Sequence, residues 1–189
     1  QDEFVKGHIP RSIFIGLNGD FAPWVGALIA DVKQPILLVA PEGKEKEAVI
    51  RLSRVGFDGT LGYLKGGFNA WKNEGKDYDT ITAVTAHEVS EDINAGNIPV
   101  FDVRKASEYL SEHVVDAHNT PLDFLNQHLA EFPKDKTFLV HCAGGYRSVI
   151  AASILKSRGI HNIIDISEGF AAIKESGINV TNYVCPTTL

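Results

Sequence analysis

The stretch that decides the fold is FLVHCAGGYRSVIAAS, Phe138 to Ser153. An apolar run, FLV, ends at His141 and Cys142, a turn with two glycines follows, and a long small-and-apolar run begins at Tyr146. That order predicts a buried strand over 137–141, a tight loop and a helix over 146–158. Strands that are apolar throughout, alternating with amphipathic helices, give a mainly parallel sheet with both faces covered. Ligands of such sheets bind beyond the carboxyl ends of the strands, where Cys142 sits.

Around this centre the pattern predicts a helix over 86–95, a strand over 99–103, a helix over 105–111 and a short strand over 114–117. A helix over 122–131, a strand over 162–166 and a helix over 169–176 complete the unit. Thr85-Ala86-His87-Glu88 fits a capping box at a helix start.

A second set of residues repeats this plan. DEFVKGHIPRSIFI (Asp2 to Ile15) parallels SEYLSEHVVDAHNT (Ser107 to Thr120), aligning Glu3 with Glu108 and His8 with His113. PILLVAPEGKEKEAVIRLSRVGF (Pro35 to Phe57) parallels TFLVHCAGGYRSVIAASILKSRGI, and LKGGFNAWKNEG (from Leu64) parallels ISEGFAAIKESG (from Ile166). The offset is 105 residues at first and 101 to 103 later, as loops of slightly different length require. The chain is therefore read as a duplicated α/β domain, residues 1–80 and 81–189. Nothing before Asp2 matches the run NIPVFDVRKA that precedes Ser107, so the first unit is expected to be truncated and the chain to be a piece of a longer polypeptide.

The bulk composition is ordinary: 189 residues, 44% hydrophobic, 22% charged, net charge -6. Such a balance does not recruit nucleic acid or an anionic membrane, and no apolar run reaches the roughly 20 residues a bilayer span needs. QDEFVKGHIP lacks the apolar core of a signal peptide. With 2 cysteines, Cys142 and Cys185, there is no disulfide framework, which points to a reducing, cytoplasmic setting. The histidines form no tight metal pattern, and no metal or cofactor is predicted.

The loop CAGGYRS carries the chemistry. Gly144 and Gly145 allow backbone angles closed to other residues. Successive amides can then turn inward to form an anion site, aided by the following helix N-terminus. A thiol facing such donors loses its proton more easily and becomes a nucleophile. Arg147 would add a positive charge at the rim, or else lie on the helix surface. Two chemistries use such a cradle, dephosphorylation and sulfur transfer. Four residues, Ala143 to Tyr146, separate Cys142 from Arg147; cysteine phosphatases have about five, and the tighter loop suits a single sulfur.

Taken together, FDVRKASEYLSEHVVDAHNTPL, the CAGGYRS loop with AASILKSRG, and ISEGFAAI resemble a tandem rhodanese over nearly the whole chain. The resemblance implies a persulfide on Cys142, with thiosulfate or another persulfide as donor and a thiol or cyanide as acceptor. Matched residue by residue, it places Ala143, Gly144, Gly145, Tyr146, Arg147 and Ser148 around the sulfur. Asp102 and Arg104, at the end of the 99–103 strand near the expected site, are read as structural support or, alternatively, as direct substrate contacts. In the first unit Pro41 stands at the nucleophile's position, with Glu42, Glu45 and Glu47 nearby, which implies a non-catalytic copy. The second unit departs from the pattern at Ile173, where the first has Trp71, and in AHNTP, Ala117 to Pro121.

Two-rhodanese tails of this kind also resemble the C-terminal part of fusions with a metallo-β-lactamase-fold hydrolase of the persulfide dioxygenase type. The alternative to a free-standing enzyme is thus a sulfur-relay or docking module of such a protein; a cysteine phosphatase is the lesser alternative. His141 is read as a buried, hydrogen-bonded residue on the opposite strand face, and Arg104 as a surface partner of Glu108 at i+4. Cys185 is read as lying in a loose tail, where it could resolve a persulfide on Cys142.

Overall fold

The computed structural model describes residues 1–185 and divides into two compact units. One comprises residues 7–10 and 15–80; the other comprises residues 1–6, 11–14 and everything from Ile81 onward.

In the smaller unit, strand β1 (Ile36–Leu38) leads through the Pro41 turn into helix α3 (Glu45–Ser53). Strand β2 (Thr60–Tyr63) follows, parallel to β1, and then helix α4 (Gly67–Asn73). Helix α2 (Phe21–Leu28) closes a small core of Phe21, Val25, Leu52 and Phe57. At the turn, the Lys44 amide donates to Pro41 O at 2.9 Å. Pro41 supplies no amide of its own there. Glu47, one of the three acidic residues near Pro41, is paired with Lys44 at 2.8 Å and Arg51 at 3.5 Å.

The larger unit holds a five-stranded parallel sheet. Its strands are β3 (Thr82–Val84), β4 (Val100–Asp102), β5 (His118–Asn119), β6 (Phe138–His141) and β7 (Ile163–Ile166). They lie in the order β3-β7-β6-β4-β5, with β6 in the centre. Alternation sends Leu139 to a core with Val100, Ile166, Phe170 and Ile173. Phe138 goes to the other face, where Phe101 and Phe132 lie 5.2 and 5.5 Å from its ring. Burial on both faces explains why FLVH carries no solvent-facing alternation.

Helix α7 (Tyr146–Ser157) is buried from Ser148 to Leu155, so its apolar character runs all the way round. Helix α8 (Gly169–Glu175) follows β7 and buries Phe170 and Ile173. Ile173 thus fills core volume, whereas Trp71 in the smaller unit spends its indole N–H on Asp77 O.

Several expectations are corrected. The 86–95 helix is a 3-10 turn, His87–Val89, followed by α5 (Ser90–Asn94). Its capping box is present: Thr85 N donates to Glu88 at 2.7 Å, and the Glu88 amide reaches the Thr85 hydroxyl at 3.4 Å. Residues 122–131 form two 3-10 turns in place of one α-helix. The strand expected over 114–117 is displaced to His118–Asn119, and Val114 instead bridges antiparallel to Val180. Thr82–Val84, which none of the expected elements covers, is an edge strand on β7. The tail is not loose up to Val184: its amide donates to Ser111 O at 2.7 Å, and its carbonyl accepts from the Ser111 hydroxyl at 2.7 Å. Cys185 is exposed beyond it.

Candidate functional site

Strand β6 delivers Cys142 to the carboxyl edge of the sheet, in register with its neighbours. His141 pairs with Asp102 on β4, and Asp102 with Asn119 on β5. The loop Cys142–Gly145 then turns into α7. Gly145 has φ +87°, a left-handed conformation that disfavours a side chain. Gly144 is not among the left-handed glycines, so only the second glycine uses the freedom expected of both.

The turn aims an amide at the sulfur: Gly145 N–H donates to Cys142 Sγ at 3.1 Å. A second clamp comes from α8. Phe170 N–H donates to Cys142 O at 2.7 Å, and a Cβ on Gly169 would fall 2.5 Å from Ala143 C and O. The loop is therefore held between a strand, a helix start and the glycine of a second helix start. In the smaller unit Gly67 stands against Ala40 O in the same way, at 2.8 Å from a built Cβ, an internal echo of the duplication.

Cys142 is 1% exposed. Ala143 and Gly144 are exposed above it, Tyr146 is half-buried and Ser148 fully buried. Beside Ala143 lies a shallow depression of about 580 Å³, also lined by Arg104, Phe170, Ala171, Lys174 and Glu175.

Both arginines of the site are engaged by carboxylates. Arg147 holds Glu108 of helix α6 (Ala106–Ser111) through two bonds, of 2.6 and 2.9 Å. That contact holds the Glu108 carboxyl below its usual range and raises the guanidinium, burial opposing both. Glu108 also accepts the Lys105 amide at 3.1 Å. The expected Arg104–Glu108 surface pair is replaced. Arg104 is buried, chelates Asp102 with bonds of 2.6 to 3.0 Å, donates to Glu112 O at 2.8 Å and lies 3.8 Å above the Phe170 ring. Arg104 sits in the bend between β4 and α6, and the Arg147–Glu108 pair, between residues 39 apart, could not be read from spacing.

Three residues of the site were not singled out by sequence reasoning. The Asn119 amide ties β5 to the end of β4, donating to Asp102 O and Arg104 O at 3.0 Å each. Glu168 caps the start of α8 in a left-handed conformation, at φ +66°. Asp165 on β7 is buried, and burial pushes its carboxyl up to about 6 against the pull of a hydrogen bond from Ser148. The Ser148 hydroxyl also lies 3.0 Å from Gly145 O. One hydroxyl proton cannot serve both acceptors, but a protonated Asp165 can donate to Ser148 while Ser148 donates to Gly145 O. A charged residue inside an otherwise apolar run was the available signal for Asp165.

His141 is buried as expected. Its Nδ1 lies 3.3 Å from Cys142 O, while Nε2 has no hydrogen-bond partner and sits 3.8 Å from Asp102 Oδ2. Burial holds its pKa below the usual value, so the ring is neutral near pH 7.

A lone cysteine at the end of the central parallel strand, with an amide on its sulfur and a glycine turn into a buried helix, defines an α/β domain with one buried thiol at the carboxyl edge of its sheet. The chain belongs to the rhodanese-like domain family, whose model matches it twice, over residues 1–74 and 85–176. It is similar to the uncharacterized protein slr1261 of Synechocystis, 35% identical over 77 residues, covering 41% of this chain and 43% of that one. It is also similar to the uncharacterized protein YqhL of Bacillus subtilis, 33% identical over 82 residues, covering 42% of this chain and 65% of that one. The chain thus spans less than two thirds of the length of these relatives. A protein named sulfurtransferase from Allochromatium vinosum is 24% identical over 84 residues, covering 44% of this chain and 78% of that one. Among solved structures, the rhodanese-related protein of Thermoplasma volcanium matches with a TM-score of 0.48 and 29% identity over 53% of this chain and 97% of that one. Among the described residues, no helix is long and apolar enough to cross a membrane.

Proposed function

We propose that the larger unit is a sulfurtransferase that carries sulfane sulfur on Cys142. The observation that carries this reading is the Gly145 amide on Cys142 Sγ at 3.1 Å. An amide donor stabilises anionic sulfur, both as thiolate before transfer and as persulfide after it. The thiolate attacks the outer sulfur of a thiosulfate or persulfide. The new S–S bond forms on Cys142, and the donor's S–S bond breaks with its electron pair leaving on sulfite or thiolate. A thiol or cyanide then takes the outer sulfur and restores the Cys142 thiolate.

Family membership and a relative named sulfurtransferase support this reading. Ala143, Gly144 and Gly145 form the turn over the sulfur, Ser148 supports that turn through Gly145 O, and Tyr146 flanks it. Arg147, held by Glu108, acts as a brace between α6 and α7 rather than as a free anion ligand. Asp102 and Arg104 support the strand end. Pro41 makes the smaller unit a non-catalytic copy in this scheme.

The test is incubation with thiosulfate or an alkyl persulfide, followed by intact mass. One added sulfur on wild-type and Cys185→Ser protein, and none on Cys142→Ser, is the expected result. Protein that never gains the sulfur, with no thiocyanate formed from cyanide, ends the reading.

A second reading is favoured by a longer relative. The probable adenylyltransferase/sulfurtransferase MoeZ of Mycobacterium tuberculosis is 27% identical over 94 residues, which is 24% of its length. The unit would then be a relay module within a larger protein, for which a metallo-β-lactamase-fold hydrolase is the kind of partner proposed. Sequencing the coding region upstream of Gln1 tests it.

A further inference from the structure

Among the described residues, Glu168 is one of three non-glycine residues with positive φ, at +66°. The corresponding residue of the smaller unit is Gly66, at φ +77°, so the duplication itself records that glycine serves this turn. A non-glycine side chain in this conformation is strained, and such strain concentrates at functional sites. Here it falls against the cysteine loop. Glu168 N lies 3.7 Å from the position of a Cβ on Gly145. The next residue, Gly169, touches Ala143, and Phe170 holds Cys142 O.

Glu168 is exposed, and among the described residues no cation pairs with it. Three cations of the site are already matched: Arg147 by Glu108, Arg104 by Asp102, and Lys174 by Glu112 at 2.8 Å. The rim of the loop therefore carries a carboxylate without a nearby free guanidinium.

Resting on the sulfurtransferase reading, we infer that Glu168 is a specificity-determining residue that disfavours dianionic sulfur donors such as thiosulfate and selects alkyl persulfides without a negative group beside the sulfane sulfur. An element that repels the competitor is a common route to selectivity. With such a donor the thiolate attacks the outer sulfur of RS–SH; Cys142–S–SH forms and RS⁻ departs to be protonated by solvent. With thiosulfate the same attack brings two negative charges past Glu168 before sulfite leaves. In water, one unit charge about 6 Å from a dianion changes its encounter by about tenfold at low salt, and by less as salt rises.

The experiment follows single-turnover sulfur loading on Cys142 by intact mass. The donors are thiosulfate and the persulfide of N-acetylcysteamine, whose carbon skeleton is uncharged. Wild type, Glu168→Gln, Glu168→Lys and Glu168→Gly are compared at low and high salt. The ratio of thiosulfate rate to neutral-persulfide rate should rise about tenfold in Glu168→Gln and further in Glu168→Lys, with the gap narrowing in salt. Glu168→Gly should match Glu168→Gln, because the charge and not the backbone sets the ratio. A ratio within about twofold of wild type in both Glu168→Gln and Glu168→Lys overturns the inference while leaving sulfur transfer intact. Loading by neither donor overturns the transferase reading, and the inference with it.

Discussion

The guanidinium of Arg147 grips both carboxylate oxygens of Glu108, joining the first turn of the helix after the cysteine to the helix after β4. The two residues are 39 positions apart. Their contact fixes the angle at which α7 leaves the loop.

Removing that grip should loosen the loop more than it changes the charge. Glu108→Ala leaves a half-buried guanidinium unpaired and is expected to destabilise the unit by about 1–2 kcal/mol in urea unfolding, reduced from the buried-pair range by solvent exposure. Arg147→Lys keeps the charge but loses the fork, so it should recover only part of the stability. Full stability in Glu108→Ala contradicts the bracing role.

Asp165 makes a distinct pH prediction. Its folded-state pKa, about 6, lies above the unfolded value, so folding favours the protonated form. The group is without penalty below roughly pH 4, and its penalty grows as pH rises through 6, reaching about 3 kcal/mol at neutrality. Asp165→Asn removes most of this. It should be more stable than wild type by about 1–3 kcal/mol at pH 7.5, with the advantage vanishing near pH 4. Denaturant melts of the two proteins that stay parallel from pH 4 to 8 speak against it.

His141 pulls the other way. Burial lowers its pKa, so the folded state favours the neutral ring. Its contribution is present above the unfolded value of about 6.5 and is lost as pH falls below that. In the Asp165→Asn background the opposing slope is gone, and stability should drop on acidification from pH 7 to 5. A further His141→Gln change should flatten that drop, whatever its effect at neutral pH. Hydrogen-ion uptake on unfolding, measured by calorimetry in two buffers, reads the same quantity.

Gly169 has no room for a side chain. Besides its φ of +69°, a Cβ would meet Ala143 C and O at 2.5 Å and Cys142 O at 2.6 Å, all backbone atoms. Gly169→Ala should cost about 3 kcal/mol or more and abolish sulfur loading even in the fraction that folds. Gly96, at φ +70° with open space around it, isolates the backbone term. Its alanine variant should lose only about 1 kcal/mol and load normally, as thermal unfolding and intact mass would show.

The centre of the fold was legible because β6 and α7 advertise themselves: a strand apolar at every position and a helix start set off by glycine. The duplication was legible for the same reason, since Gly67 and Gly169 preserve the same close approach in both copies. What escaped was set by distant partners. The strand shifted to His118–Asn119 because His118 stacks on Phe101 at 5.1 Å and Asn119 bonds the end of β4. Val114, the more strand-like residue, is claimed by Val180. Thr82–Val84 pairs with β7 alone, too short an edge to show a period. The place of Cys142 at the strand end could be read from its setting, but the fate of Arg147 depended on Glu108, and the burden on Asp165 on how deeply β7 is covered.

The antiparallel bridge of Val180 to Val114 and the Val184–Ser111 clasp bear on where this domain is cut for expression. A minimal version ended at the last helix would strip Val114 of its ladder neighbour and leave Ser111, beside the brace on α6, without its clasp. Shortened versions that keep residues through 184 should express as well as the full chain, and ones that stop near 177 should be the first to be degraded.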